Sequence, residues 1–275
     1  MSVVSTRNSI LRQENVDAGT FVPTPRPSVL APALPGDLPR MPQLPRALGS
    51  EAKLFAAQLE ATAPDLVAAP VPESFLVRVA RRTIDVAVSL AALLVLWPLI
   101  LLSALIVRLD SPGPGFFRQK RLGRLGSPFE ILKLRGMHVD AAVRFPHLYD
   151  YTDESRATQF HLPEDPRVTR AGKLFRRTSI DELPNFWNVL RGDMSLVGPR
   201  PQIPEMFEYY GDHAQVILSV RPGIFSLPKV CLRDHLTLHE TVLLDSYYVH
   251  NRTLLLDLRI ALRGIAIVLL RHGVH

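Results

Sequence analysis

Residues 86–107 read VAVSLAALLVLWPLILLSALIV, twenty-two positions without a charged side chain. A soluble core helix is rarely so long and so uniformly apolar, and at about 1.5 Å per residue the run reaches across a hydrocarbon layer about 30 Å thick. Length therefore permits a span, but two features oppose a straight one. Pro98 stands near the middle, where it lacks an N–H and its ring crowds the preceding turn. Both flanks are basic, with Arg78, Arg81 and Arg82 before the run and Arg108, Arg118, Lys120, Arg121 and Arg124 after it. Excess Lys and Arg holds a flank in the cytoplasm. A segment over 73–110 that enters and leaves one leaflet, as helix, break at Pro98 and helix, satisfies both observations.

Upstream, 11 of the 24 prolines fall between Met1 and Pro72. Proline fixes φ and removes donors, so the arm 1–72 is expected to be disordered or polyproline-like, apart from one short helix around Glu51–Thr62. On that reading the arm is dispensable for chemistry. No basic segment followed by a short apolar core stands at Met1, so no cleaved signal peptide is expected. Downstream, glycines at 113, 115, 123 and 126 bracket a stretch whose Phe129–Leu134 portion reads as a short strand, and a soluble domain over 111–275 begins there. Leu255, Leu258, Leu262, Ile265 and Leu269 recur at helical spacing among Arg252, Asp257, Arg259, Arg263 and Arg271. Such an amphipathic helix lies either in a membrane interface or on the domain's own core, and the sequence leaves both open.

A hydrophobic content of 47% in 275 residues supplies a core and excludes disorder throughout. Cys231 is the single cysteine, so neither an internal disulfide nor a CxxC pair exists, in keeping with a reducing, cytoplasmic compartment. A net charge of +6 favours an anionic partner: nucleic acid, an acidic membrane or a phosphorylated substrate. Nucleic acid is the poorest of these, because the basic stretches lack aromatic platforms and a recognition-helix pattern. His235 and His239 have the spacing of a zinc pair, but without HExxH they read as surface or packing histidines.

The densest chemistry lies in residues 165–185, DPRVTRAGKLFRRTSIDELPN, where five cations precede the adjacent carboxylates Asp181 and Glu182. Ser179 and Glu182 have capping-box spacing. With Ser179 as N-cap, Pro184 would fall where a backbone donor is needed; with Asp181 as N-cap it would not. The second register places the Asp181 carboxylate at a helix N-terminus near Arg176 and Arg177, where it is expected to stay ionised and where a phosphate can bind. Farther on, Gly198-Pro199-Arg200-Pro201 and Arg221-Pro222-Gly223 read as tight loops presenting guanidinium groups suited to a diphosphate. Asp245-Ser246-Tyr247-Tyr248 adds another carboxylate.

At these residues the chain resembles the bacterial sugar transferase family, the monotopic polyprenyl-phosphate phosphoglycosyl transferases. The resemblance runs from about Phe75 to Val274. It rests on Arg82-Thr83-Ile84-Asp85, Gln119-Lys120-Arg121 with Gly123, Lys133-Leu134-Arg135-Gly136-Met137, the Asp165–Pro184 run and Gly198-Pro199-Arg200-Pro201, in family order. It implies an α/β fold: a small, helix-rich cytoplasmic catalytic domain with an N-terminal re-entrant membrane helix and interfacial amphipathic helices, at the bacterial inner membrane. It also implies transfer of a sugar-1-phosphate from a nucleotide sugar, UDP-linked, to undecaprenyl or another polyprenyl phosphate, which starts exopolysaccharide, O-antigen or capsule assembly. In that scheme Asp181 is the nucleophile, Glu182 ligates Mg²⁺, Arg176, Arg200 and Arg221 are candidate phosphate ligands, and Asp245 is a further acidic candidate. Membrane lipid and a second copy in a homodimer are the implied partners besides the substrates. The sequence departs from the family pattern over Ile224–Val230, and also at Gly136, Asn185 and Trp97. A catalytically silent scaffold in a polysaccharide assembly complex is the competing reading, and the intact Asp181–Glu182 pair opposes it.

Overall fold

The computed structural model describes residues 50–60, 66–70, 72–149, 164–231 and 236–270. Its longest element is α2, Phe75–Asp110, preceded by α1, Ser50–Glu60. A hairpin follows, with β1 (Phe116–Leu122) antiparallel to β2 (Pro128–Leu134). The short α3 (Ala141–Arg144), then α4 (Arg170–Thr178), α5 (Asn185–Arg191) and β3 (Ser195–Val197) come next. The chain closes with α6 (His213–Leu218), β4 (Gly223–Phe225), α7 (Leu227–Cys231), α8 (Leu238–Asn251) and α9 (Leu254–Leu270). Strand β3 pairs in parallel with β4, so the described residues hold two separate two-stranded sheets in a mostly helical domain. The expected strand at Phe129–Leu134 is the inner part of β2.

Helix α2 is long and apolar enough to cross a membrane. Its helical backbone runs through Pro98 with no non-helical residue, so a turn at that point is a bend within one helix rather than a loop between two. A proline inside an apolar helix forfeits one ladder bond, and continuing the flanking turns still satisfies the rest. Leu94, Val95, Trp97, Leu101, Leu102 and Leu105 are exposed around that middle stretch. Both ends of α2, by contrast, are fastened to the same domain. Toward its start, Arg82 donates to the carbonyls of Val189 (2.6 Å) and Leu190 (2.8 Å) in the last turn of α5, a favourable end for a cation. One turn on, the buried Asp85 carboxylate accepts from Ser195 Oγ (2.9 Å) and Leu196 N (2.9 Å) in β3. Toward its end, Ala104 and Val107 pack with Leu134, Ala171 and Phe175, and the buried Arg135 donates to Pro114 O (2.7 Å) and Ser111 O (2.8 Å). Asp110 accepts from Ala171 N (3.0 Å) at the start of α4.

The N-terminal segment departs from expectation. A helix stands where the sequence placed one, but it belongs to the domain: Phe55, Ala56, Leu59 and Leu66 are all buried, and Phe55 meets Tyr247 of α8 edge to face at 5.1 Å. The run Leu54-Phe55-Ala56-Ala57-Gln58-Leu59 supplies apolar groups four apart, which the proline count overshadowed. The arm expected over 1–72 is thus packed structure over 50–60 and 66–70, and the expectation for residues 1–49 lies outside the described residues. In α9 the five residues at helical spacing are the exposed ones, while Ile260 and Gly264 face inward; a Cβ on Gly264 would lie 2.3 Å from the Phe225 ring.

Helix α4 is seated by backbone contact. A Cβ on Gly172 would lie 2.0 Å from Gly136 O, so α4 approaches the end of β2 closer than any side chain permits. Gly172→Ala is expected to destabilise the fold by about 1–3 kcal/mol, as overpacking against backbone does. Denaturant or thermal unfolding in lipid nanodiscs reads this out, and an unchanged midpoint would show that α4 can shift freely.

Candidate active site

Strand periodicity builds one wall of the site. Opposite residues in an antiparallel pair share a face, as do every second residue along a strand. Arg121 opposite Phe129, then Ile131 and Lys133, consequently point the same way from β1 and β2. Arg121, Ile131 and Lys133 line a small solvent-open cavity, faced by Arg200 on the loop after β3, by Glu182, and by Lys229 of α7. Four cationic side chains thus surround one lining carboxylate.

The carboxylate pair arrives on a turn between two helices. Thr169 caps α4, its hydroxyl accepting from Gly172 N at 3.0 Å. Asp165 is gripped by Arg167 (2.8 and 2.9 Å): burial would raise its pKa, but the Arg167 hydrogen bonds and charge bring it below the ordinary carboxylate range. Helix α4 ends at Ser179, whose φ of 57° lies in the left-handed region, costly for a residue with a Cβ. Residues Ile180–Glu182 then form a single 3₁₀ turn, and α5 restarts after Pro184. Ser179 stands at the N-cap of that turn without a side-chain cap bond and Asp181 lies inside the turn, which corrects the Asp181 N-cap register inferred from sequence. The physical reason is that bonds closing three residues apart, Glu182 N to Ser179 O and Leu183 N to Ile180 O, tighten the chain before a proline that donates none.

Glu182 lies between two lysines: Lys133 Nζ is 3.2 Å from Oε1, and Lys229 Nζ pairs with Oε2. Asp181 sits beside the cavity rather than in its lining, and among the described residues it forms no ion pair. Burial pushes its carboxyl above the ordinary range and neighbouring Glu182 pushes it further, while Lys133, Lys229 and Arg176 oppose the rise. The expectation of a carboxylate stabilised by a helix N-terminus is thereby overturned; side-chain cations do that work. Arg176 is 4.0 Å from Asp165 and acts on Asp181 through its charge, whereas Arg177 is exposed.

The remaining candidates separate. Arg200 lines the cavity, and its backbone N–H faces Asp245 Oδ2 at 3.4 Å. Asp245 is fully buried, and its Oδ1 has no partner among the described residues. Arg221 is elsewhere: its Nε donates to Gly192 O (2.8 Å) in the neighbourhood of Arg82 and Asp85, away from the cavity lining. His239 pairs with Glu60 at 2.6 Å, and His235 lies outside the described residues. Sequence reasoning did not nominate Arg121, Lys133 or Lys229; the alternation through Phe129, Ile131 and Lys133 was the available signal for the first two. Ile224, Ser226 and Lys229 of the atypical segment all line the cavity, so that departure falls on the site itself. Asn185, also in the lining, is buried, and its Oδ1 has no hydrogen-bond partner among the described residues.

These features define a mostly helical domain with a cavity lined by four cationic side chains and a paired carboxylate at its edge. The chain belongs to the bacterial sugar transferase family, whose profile it matches over residues 76–271. It is 39% identical over 193 residues to the UDP-glucose:undecaprenyl-phosphate glucose-1-phosphate transferase of Caulobacter vibrioides, covering 67% of this chain and 68% of that one. It is 36% identical over 198 residues to the exopolysaccharide production protein ExoY of Rhizobium meliloti, covering 70% and 87%. With the undecaprenyl-phosphate galactose phosphotransferase of Salmonella typhimurium it shares 36% over 201 residues, 72% of this chain and 42% of that one. This chain spans under half the length of several of its curated relatives.

Asp245 yields a pH test. Burial pushes its carboxyl up to about 8, against which the Arg200 amide and charge act only in part. The folded state therefore holds a proton that the unfolded chain releases near pH 3.8, so stability is full below that value and falls as pH rises toward about 8. Asp245→Asn should flatten this part of the stability curve and, near pH 8, melt above the native protein. Parallel pH profiles of the two proteins would rule the assignment out.

Proposed function

We propose that this protein transfers a sugar-1-phosphate from a nucleotide sugar, UDP-linked, to a polyprenyl phosphate, and so starts assembly of an exopolysaccharide, O-antigen or capsule glycan. The observation that carries the reading is the Asp181–Glu182 pair set among Lys133, Lys229, Arg176 and Arg200 in a chain of this family. Asp181 attacks the sugar-bearing phosphorus, the bond from that phosphorus to the nucleoside monophosphate oxygen breaks, and a phosphosugar remains on the carboxylate. The nucleotide leaves. An oxygen of the polyprenyl phosphate then attacks the same phosphorus, the bond to Asp181 breaks, and the free carboxylate returns.

The cations hold Asp181 toward its ionised, nucleophilic form against burial, and Arg176 and Arg200 bind the phosphates. Mg²⁺ would be held by Glu182, the one carboxylate in the cavity lining, together with substrate phosphates. Bound there, Mg²⁺ would offset charge on the diphosphate. Both ends of α2 are fastened to one domain, which supports a re-entrant course turned by a bend at Pro98 within the continuous helix: a span would part them by a hydrocarbon layer about 30 Å thick. The domain then lies at the cytoplasmic face of the inner membrane, with the exposed stripe of α9 in the interface.

Purified protein given nucleotide sugar without lipid acceptor should release up to one equivalent of nucleoside monophosphate and retain a covalent phosphosugar. Asp181→Asn should abolish turnover while remaining folded, and added Mg²⁺ should not rescue it. Glu182→Gln should be crippled yet partly rescued by raised Mg²⁺. Full activity in Asp181→Asn would defeat the double displacement. Cysteines placed at Ser74 and Gly126 should label from one side of intact cells; labelling from opposite sides would replace the re-entrant course with a span.

A further inference from the structure

We infer that the described residues 50–60, 66–70 and 72–73, wholly outside the family match at 76–271, form a strap along α8 that positions Arg200. The role given to Arg200 rests on the function proposed above. Four contacts fasten the strap. Glu60 pairs with His239 (2.6 Å), Phe55 stacks edge-on against Tyr247, the His250 ring reaches Ala68 O (3.0 Å), and Glu73 pairs with Arg252 (3.1 Å). Leu59 and Leu66 are completely shielded in the same core cluster as Leu243, Tyr247 and Tyr248.

These contacts follow a helical face. At 3.6 residues per turn, His239, Tyr247 and His250 fall within an arc of about 80°, and Asp245 lies about 150° round from its centre. One side of α8 is thus covered by the strap while the other presents Asp245 to the Arg200 amide and Tyr248 to Val197 O, at 3.3 Å, in β3. Both are points on the segment that carries the Arg200 loop. Without the strap, α8 would expose Tyr247 and Leu243, and its hold on that loop would loosen. Asp245 and Phe55 are positioning residues here: neither lines the cavity.

The test compares the full chain with chains lacking residues 1–49 or 1–70, and with Phe55→Ala and Leu59→Ala in the full chain, all in nanodiscs. Removal of 1–49 should change nothing. Removal of 1–70, or either point substitution should the truncation not fold, should speed amide exchange of residues 198–201 and 242–249 by at least about tenfold, as local opening becomes easier. In turnover with a UDP-sugar panel, KM for the nucleotide sugar should rise several-fold with kcat held within about twofold, the pattern of lost ground-state binding. A merely structural strap would lower the melting temperature and leave KM unchanged. Native exchange at 198–201 in a folded chain lacking 1–70, or an unchanged KM, would overturn the proposal. If the full chain turns over no nucleotide sugar, the transfer reading fails, and the exchange measurement alone decides the strap.

Discussion

Two adjacent carboxylates crowded at the edge of a cavity repel one another and lose hydration, so the arrangement persists only if cations stand within a few ångströms. Lys133 and Lys229 meet that constraint from separate parts of the chain, one at the end of β2 and the other on α7. Much of the fold serves to bring those two ammonium groups to one turn. The hairpin sets Lys133 on the cavity face, and the parallel pairing of β3 with β4 delivers α7. Where the backbones must meet, glycine removes the obstacle: a Cβ on Gly198 would lie 2.4 Å from Arg221 O, and one on Gly223 would lie 2.1 Å from Gly198 N.

The same constraint explains why the turn is irregular. A regular helix through residues 179–185 would need a donor at Pro184, and a wide loop would let the carboxylates swing into water. A left-handed Ser179 followed by one 3₁₀ turn avoids both, at a backbone cost of order 1–3 kcal/mol that the ion pairs and the packing of Phe175 must offset. Asn188 then ties α5 to β2, accepting from Leu132 N (3.0 Å) and donating to Glu130 O (2.7 Å). The turn carrying Glu182 and the strand carrying Lys133 are therefore held in one register.

What could be read from sequence was what is local. The apolar run of α2, the strand at Phe129–Leu134, the Asp181–Glu182 pair and the short helix near Glu51 are each written in neighbouring residues. Pairings between distant segments were not: Lys229 falls in a stretch read only as a departure, and its ammonium matters because β4 and α7 bring it to Glu182. Arg221 shows the converse error. Its Arg-Pro-Gly setting implied an exposed guanidinium, yet tertiary contact turns Nε onto Gly192 O. Composition misled at the strap, because proline frequency averaged over 72 residues hid not the helix near Glu51 but its packing against α8.

Asp245 raises the question of why a carboxylate is kept where water cannot reach it. An apolar residue of similar size would avoid the desolvation that pushes its carboxyl up to about 8. A leucine, however, would leave the Arg200 amide facing hydrocarbon and place no acceptor behind that loop. The carboxyl supplies an acceptor fixed on the rigid, nearly wholly buried α8, and α8 is in turn fixed by the strap and by the Tyr248 hydroxyl, which donates to Asp257 at 2.7 Å. Asp257 also receives Arg81 from the start of α2. The loop carrying Arg200 and the start of α2 thus share one support, made of Asp257, Tyr248 and α8.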